Sequence, residues 1–137
     1  MELNQCINFV LNRAQQSTHQ HFKMKLAEYD VTPVQYGILA CLWQNDAQAP
    51  GQIAANLSLD SSTITGILDR MEHKGLLKRT PDPNDRRALK VVLTDSGRAL
   101  HNPIDKTIDE ANAEVTQGLS EKERKTLVTL LGKLGKK

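Results

Sequence analysis

The sequence is poor in aromatic residues, in cysteine and in net charge, and each shortage excludes a class of protein. Aromatic residues make up 4% of the 137 residues, too few for a platform on which single-stranded nucleic acids stack. The two cysteines, Cys6 and Cys41, do not make a disulfide framework, so we expect a reducing, cytoplasmic location. The length suits one domain over residues 1–137 with one modest core.

Several functional segments are also missing. No apolar run approaches the roughly 18 residues of a membrane span, and the N-terminus lacks the basic start and apolar stretch of a signal peptide, so we expect no membrane partner. The sequence has no glycine-rich phosphate loop, nucleophile elbow or metal-ligating pair. We therefore predict a protein that is not an enzyme and holds no cofactor or metal.

The low net charge of +2 conceals a strong local pattern. Residues 61–90 carry seven basic and four acidic side chains, a balance of +3. Residues 1–60 carry three basic and five acidic side chains (−2), and residues 91–120 carry two basic and five acidic ones (−3). Residues 121–137 carry six basic and two acidic side chains (+4). Blocks of opposite sign in one small domain can place a basic face beside an acidic body.

Apolar spacing and capping residues predict four helices in the first half of the chain. Residues 3–29 read as one long helix that contains Cys6. The sequence Thr32-Pro33-Val34-Gln35 predicts a capped start for a second, nearly apolar helix at the centre of the core. A short helix from Pro50 to Leu57 and a turn at 58–60 lead to a fourth helix, which begins at Ser61 with Asp60 or Ser61 as its cap and ends at Gly75.

The second half is predicted to contain a hairpin and two further helices. Strands over 76–80 and 89–93 flank a loop at 81–85 that is longer than a tight turn. A helix capped by Thr94 then runs towards Val115 with a kink at Pro103. The last helix, over 121–134, is expected to turn five apolar side chains inward: Leu127, Val128, Leu130, Leu131 and Leu134.

The order short helix, tight turn, helix and hairpin is typical of a DNA-reading unit. The second helix of such a unit lies in the major groove and presents its N-terminal side chains to base edges. Here those side chains bear small hydroxyl groups, with an arginine two turns further on that could reach a base or a phosphate. The predicted DNA contacts on this helix are Ser61, Ser62, Thr63, Thr65 and Arg70.

The hairpin loop supplies three further predicted residues of the DNA-binding site: Asp85, Arg86 and Arg87. An arginine on a protruding loop can enter a narrow minor groove, and Asp85 would hold that arginine in a fixed orientation. Taken singly, each feature has an ordinary explanation, because serines commonly cap helices and surface arginines are mostly solvated. Taken together in this order and spacing, they favour DNA binding.

The stretches 59–79 (LDSSTITGILDRMEHKGLLKR) and 82–98 (DPNDRRALKVVLTDSGR) resemble the MarR family, the winged-helix multiple-antibiotic-resistance regulators. The resemblance covers essentially the whole chain. It implies a mainly α fold with a small β-hairpin wing (α+β), in which a winged helix-turn-helix lobe over 32–93 is flanked by dimerisation helices over 3–29 and 95–134. It also makes Arg87 the minor-groove arginine and Asp85 its partner. Gly66 departs from the family, where many members carry a larger side chain.

The resemblance further implies a homodimeric transcriptional regulator that responds to a ligand or to redox chemistry. Independently of it, the two helical ends each carry an apolar stripe that the small central module cannot cover, and a two-fold interface between them would bury both. It would also set two recognition helices about one DNA turn apart, to match a pseudo-palindromic operator in double-stranded DNA. We expect a repressor that releases DNA when a ligand binds.

The nature of the signal stays open at this point. Members of the family commonly bind small aromatic or phenolic acids, and the candidate ligand residues are Arg13, His19, Tyr36 and Trp43, although all four also suit ordinary core or surface roles. The alternative signal is cysteine oxidation. Cys6 lacks an adjacent basic group, the position that resembles the family's sensor is Asn8, and Cys41 fits the core. A non-DNA helical protein-interaction module is the remaining alternative.

Overall fold

The computed structural model describes residues 1–135 and contains, within them, seven α-helices and one two-stranded antiparallel hairpin. Along the chain these are α1 (Ile7–Leu26), α2 (Pro33–Gln44), α3 (Pro50–Leu57), α4 (Ser61–His73), β1 (Leu77–Asp82), β2 (Asp85–Leu93), α5 (Asp95–Ala99), α6 (His101–Val115) and α7 (Glu121–Lys133). No helix in this part of the chain is long and apolar enough to cross a membrane. The prediction of a mainly α fold with a small hairpin is confirmed.

The N-terminal helix is shorter than the predicted 3–29. Leu3–Gln5 forms a separate 3₁₀ turn, and Cys6 is extended (φ −83°, ψ 116°), so α1 begins after it and the prediction that Cys6 lies in the helix is wrong. Apolar spacing identifies a helical face but not where the helix starts. Leu3 and Ile7 are 59% and 60% exposed, so no element among the described residues 1–135 buries this segment.

Helix α2 is central, as its apolar composition predicts. Its start is a complete capping box, in which the Gln35 amide donates to Thr32 Oγ1 at 3.2 Å and the Thr32 amide to Gln35 Oε1 at 3.1 Å. Ile38, Leu39 and Leu42 are no more than 1% exposed. The helix contacts α1, α3, α6 and β2, so it is the common support of the other elements.

The predicted helix-turn-helix is confirmed. Ser58 ends α3 in the left-handed region (φ 57°) and Gly75 follows α4 at φ 75°, the conformation that glycine adopts most easily. Four side chains of α4 face the core and are at most 5% exposed: Ile64, Ile67, Leu68 and Met71. The Lys74 ammonium donates to the Asp30 carbonyl at 2.6 Å and to Gln35 Oε1 at 3.0 Å, which ties the end of α4 to the start of α2.

The hairpin has longer strands and a shorter loop than predicted. Strands β1 and β2 extend to Asp82 and Asp85, so Pro83 and Asn84 form the tip in place of the predicted loop at 81–85. Proline does not prevent this, because each strand of a two-stranded hairpin has a free edge on which the missing N–H is tolerated. Pro81 pairs with Leu89 but Asp82 with Asp85, which leaves residues 86–88 outside the regular register.

A short additional bridge joins the hairpin to the end of α2. The Val91 amide donates to the Gln48 carbonyl at 2.7 Å, and the Gln48 amide donates to the Val91 carbonyl at 3.2 Å. The buried Gln48 side chain in turn donates to the carbonyls of Cys41 and Asn45 at 2.8 and 2.5 Å. Gln48 therefore anchors β2 to the central helix.

The helix predicted to kink at Pro103 is divided further upstream, at Leu100, between α5 and α6. Proline has no N–H for the carbonyl four residues earlier and its ring crowds that carbonyl, so the disturbance falls near Ala99. Pro103 itself stands in the first turn of α6, where proline is well tolerated.

The last helix does not bury the stripe predicted to face inward. Helix α7 has no buried residue. The five apolar side chains predicted to face inward, four on α7 and one at its C-cap, are 40–72% exposed: Leu127, Val128, Leu130, Leu131 and Leu134. Within residues 1–135 no other element covers this face, so the inward orientation predicted from its spacing is not met in the single chain, in keeping with the expectation that the central module leaves it uncovered. By contrast, Leu26 of α1 and Ile104 of α6 are fully buried in the same core as α2 and α4.

Candidate nucleic-acid interface

The N-terminal half of α4 is a solvent-facing surface of small hydroxyl side chains. Ser61, Ser62, Thr63 and Thr65 are all exposed. The Thr65 hydroxyl donates to the Ser61 carbonyl at 2.8 Å, so its proton is used within the helix and its oxygen remains available as an acceptor. The helix therefore offers hydroxyl oxygens, with little side-chain bulk, to any partner that approaches it.

Asp60 holds this surface in place. Its carboxylate accepts from the Thr63 amide at 2.7 Å and from the Ser62 hydroxyl at 2.8 Å. Hydrogen bonds from the Thr63 amide, and then from the Thr63 and Ser62 hydroxyls, hold the pKa of Asp60 below its usual range. The cap thus fixes both the start of α4 and one hydroxyl of the predicted contact set.

Arg70 lies on the side of α4 that faces α1 and α2. Thr63, Gly66 and Arg70 follow one another at three- and four-residue steps and so share one flank of the helix. Arg70 lines a groove of about 310 Å³ with His19 and Lys23 of α1 and the first turn of α2. This groove gathers basic side chains beside the recognition helix rather than at its N-terminal tip.

The hairpin places the predicted wing residues at its exposed end. Asp85, Arg86 and Arg87 are all exposed and belong to the start of β2 rather than to a loop. Asp85 Oδ1 accepts from the backbone amide of Arg87 at 3.0 Å, and Asp82 Oδ1 accepts from the Asn84 amide at 2.9 Å. Asp85 therefore orders the backbone that carries Arg87, and in the described part of the chain it forms no ion pair with the guanidinium.

Sequence reasoning missed Arg79, which connects the hairpin to α4. Its Nε donates to Glu72 Oε1 at 2.9 Å and its Nη2 donates to Asp69 Oδ1. The hydrogen bonds that Arg79 donates, first to Glu72 and then to Asp69, raise its pKa. The available signal was a pair of carboxylates three residues apart on a helix, followed by an arginine in the next strand.

In the described part of the chain, the predicted ligand residues His19 and Trp43 line two different cavities. The rings of Tyr36 and Trp43 are neighbours, with centroids 6.3 Å apart, and the indole stacks on His101 at 4.6 Å. His19 lies in the Arg70 groove, and Arg13 is exposed on α1. Burial, and then the charges of Asp105 and Asp109, raise the pKa of Tyr36, so its hydroxyl stays neutral at physiological pH.

The two cysteines differ in their surroundings. Burial raises the pKa of the Cys41 thiol, and a thiol kept protonated is a poor nucleophile. Cys6 is partly exposed and directly precedes α1. Cys41 itself is only partly buried and is not among the described residues of the hydrophobic core, so the prediction that it is a core residue is wrong.

Comparison with known proteins finds a family and a well-matched relative that this chain resembles. A family model described as "MarR family" matches residues 31–89, from the end of the first loop to the hairpin. The transcriptional regulator PecS of Dickeya dadantii is 33% identical over 133 residues, which cover 95% of this chain and 76% of PecS.

Solved structures of similar proteins superpose on this chain over almost its full length. The repressor CouR bound to a 23-mer DNA duplex superposes with a TM-score of 0.93 at 29% identity, covering 98% of this chain and 96% of CouR. CouR from Rhodococcus jostii has also been solved with p-coumaroyl-CoA. BpsR of Bordetella bronchiseptica, whose DNA binding is regulated by 6-hydroxynicotinic acid, gives a TM-score of 0.93 at 26% identity, covering 100% of this chain and 98% of BpsR.

Proposed function

This chain belongs to the MarR family of transcriptional regulators, and we propose that it is a ligand-responsive repressor that binds a pseudo-palindromic operator as a homodimer. The observation that carries the proposal is the pairing of two exposed surfaces on one rigid lobe. One is the hydroxyl-bearing start of α4, and the other is the arginine-bearing end of the hairpin. A helix of this kind fits the major groove while the hairpin reaches the adjacent minor groove.

Each predicted DNA residue has a distinct role in this proposal. Ser61, Ser62, Thr63 and Thr65 meet base edges or phosphates at the start of α4, where the helix dipole also favours a phosphate. Arg70 meets the DNA backbone or a base from the flank of the helix. Arg87 enters the minor groove with Asp85 fixing its backbone, and Arg86 meets the phosphate chain.

The homodimer accounts for the apolar surface that the single chain leaves exposed. Helix α7 and the segment before α1 carry large apolar side chains that no element of the described chain covers. Exposed apolar surface of this extent marks an interface. A two-fold contact between these ends buries them and turns residues 3–29 and 95–134 into the dimerisation helices, while 32–93 remains the DNA-binding lobe.

The effector is proposed to be a small acidic molecule with an aromatic or phenolic ring. The effector of BpsR and the ligand of CouR both contain a hydroxylated aromatic ring. In this chain the groove lined by His19, Lys23 and Arg70 is basic and suits a carboxylate. Tyr36, Trp43 and Arg13 are the further candidates for contact with the ring and its substituents.

Cysteine oxidation and a DNA-independent interaction role are less well supported. Burial disfavours the Cys41 thiolate, and Cys6 precedes α1 rather than lying on it. A pure interaction module would not explain why the arginine tip and the hydroxyl surface stand on the same lobe. We place the protein in the cytoplasm, where a DNA-binding regulator acts, and expect no catalytic activity.

Selection of duplex DNA from a randomised pool tests the proposal directly. We expect the protein to enrich a palindromic duplex, called the selected duplex below, with affinity that falls steeply as salt rises. Failure to enrich any duplex would refute DNA binding. Thermal melting in the presence of a panel of aromatic acids tests the effector, since a ligand that binds the native state raises the melting midpoint. If no acid raised the midpoint, the proposed ligand would be refuted but the proposed DNA binding would not.

A further inference from the structure

One arginine connects the recognition helix to the hairpin. Arg79, at the third position of β1, donates to both Glu72 and Asp69 of α4. Its side chain is only 23% exposed, whereas the side chains of Asp69 and Glu72 are 58% and 40% exposed. Within residues 1–135 no other ion pair joins α4 to the hairpin. The guanidinium is therefore turned towards the protein while the two carboxylates lie at the surface.

The two carboxylates stand on the flank of α4 that also bears a predicted DNA contact. Thr65, Asp69 and Glu72 are spaced by four and three residues, so they follow one another along the same side of the helix. Uncompensated carboxylates on this side would repel the phosphates of a bound duplex. A planar guanidinium offers two donors in a fixed fork, so it can hold both carboxylates at once in a way that a lysine cannot.

The position of this contact also controls the far end of the hairpin. The chain passes from α4 to β1 through Gly75, whose left-handed backbone (φ 75°) makes the turn between the two elements. The hairpin tip begins four residues beyond Arg79, or roughly 13 Å away at the rise of a β-strand. A change of angle at the contact would therefore be magnified at Arg87.

We propose that Arg79 is a positioning residue for operator recognition, which clamps Asp69 and Glu72 and so fixes the hairpin relative to α4. The clamp lets the start of α4 and the hairpin tip engage one DNA site together. It acts through protein geometry and not through a contact between Arg79 and DNA. This inference rests on the proposed function, because it assigns a role within the same DNA interface.

The test compares the affinity for the selected duplex with that for a scrambled duplex of equal length and composition. We expect Arg79→Ala to lower the ratio of the two affinities about tenfold, within the range for loss of one specific contact, with the salt slope of the wild-type protein retained. We expect Asp69→Ala with Glu72→Ala to lower the ratio as well, even though this double variant removes two negative charges. Adding Arg79→Ala to that pair should weaken binding no further than Arg79→Ala does alone, because the three residues act as one unit.

Other results would overturn the proposal. A salt slope reduced by about one in Arg79→Ala would make Arg79 a phosphate contact. An unchanged or higher ratio in the double variant would mean that Arg79 merely neutralises charge. If the triple variant bound more weakly than Arg79→Ala, Asp69 or Glu72 would contact DNA directly. Since alanine favours helix, the double variant remains decisive even if Arg79→Ala fails to fold.

Two controls separate this inference from the proposed function. Asp95→Asn removes an exposed carboxylate from an ion pair with Arg98 at 3.0 Å and should keep the wild-type ratio. If the wild-type protein prefers the selected duplex and Arg79→Ala has the same affinity ratio as the wild-type protein, the positioning role of Arg79 is refuted while the proposed regulatory function stands. If the wild-type protein shows no preference, both fail.

Discussion

The indole Nε1 of Trp43 donates a hydrogen bond to the carbonyl oxygen of Gly97 at 3.0 Å, and this contact holds α5 against the central helix. On its other side Gly97 lies so near the Leu76 backbone that an added Cβ would come within 2.1 Å of the Leu76 carbonyl oxygen. Gly97 is thus enclosed between α2 and the start of the hairpin. Only a residue without a side chain fits there.

Gly97→Ala is therefore expected to destabilise the protein by about 1–3 kcal/mol or more, because backbone has to move to admit the methyl group. Urea denaturation followed by circular dichroism measures the change in the free energy of unfolding.

Gly66→Ala is the matched control for that measurement. Gly66 lies in the interior of α4 with nothing within 4 Å of an added Cβ, so alanine should raise the free energy of unfolding by about 1 kcal/mol through its higher helix propensity. A loss of stability in Gly66→Ala, or none in Gly97→Ala, would contradict the packing described here.

Arg87→Ala should weaken binding of the selected duplex by about 1–3 kcal/mol, as expected for loss of one groove contact, and reduce specificity at the base pairs beneath the wing. Fluorescence anisotropy at matched salt measures the change. Arg98→Ala removes an arginine at the base of the hairpin, far from its tip, and should bind as the wild-type protein does. Equal affinities for all three proteins would count against the wing assignment.

Leu130→Glu should convert the proposed dimer to a monomer, because it places a charge in the apolar stripe of α7. Thr129→Glu adds the same charge to the opposite side of the helix and should leave the dimer intact. Sedimentation velocity distinguishes the two outcomes. Dimers for both variants would show that α7 is not the interface.

Asp60 should contribute to stability in a pH-dependent manner. Its pKa is lowered in the folded protein by the hydrogen bonds of the helix cap, so its stabilising effect is complete above the unfolded pKa of about 4 and is lost as pH falls through the folded pKa. Asp60→Asn keeps a capping side chain without a titrating group. Melting midpoints should therefore fall less steeply below about pH 4 in this variant than in the wild-type protein.

Local signals in the sequence predicted most of the elements, because their causes lie within a few residues. The Thr32–Gln35 box, the Asp60 cap and the left-handed Gly75 all appear where short-range chemistry places them. The apolar stripe of α4 was equally predictable, since its spacing alone decides which side faces the core.

The features that sequence reasoning missed depend on distant residues. The predicted strands are shorter than the observed ones because Pro81 and Asp82 favour loops locally, whereas pairing across the hairpin keeps these residues extended. The clamp at Arg79 joins residues seven and ten positions apart, across a turn whose angle no local pattern specifies. The outward-facing leucines of α7 share the spacing of a buried helix, and spacing alone cannot tell whether the cover comes from the same chain.

Those leucines also govern the fate of newly made protein. A chain that has not yet met a partner presents a row of apolar side chains to the cell, which is the surface that chaperones and proteases recognise. Pairing hides that row and removes the unpaired chain from degradation by mass action. The cellular level of the regulator should thus depend more than proportionally on its rate of synthesis, so that weak expression yields little protein and stronger expression a long-lived population.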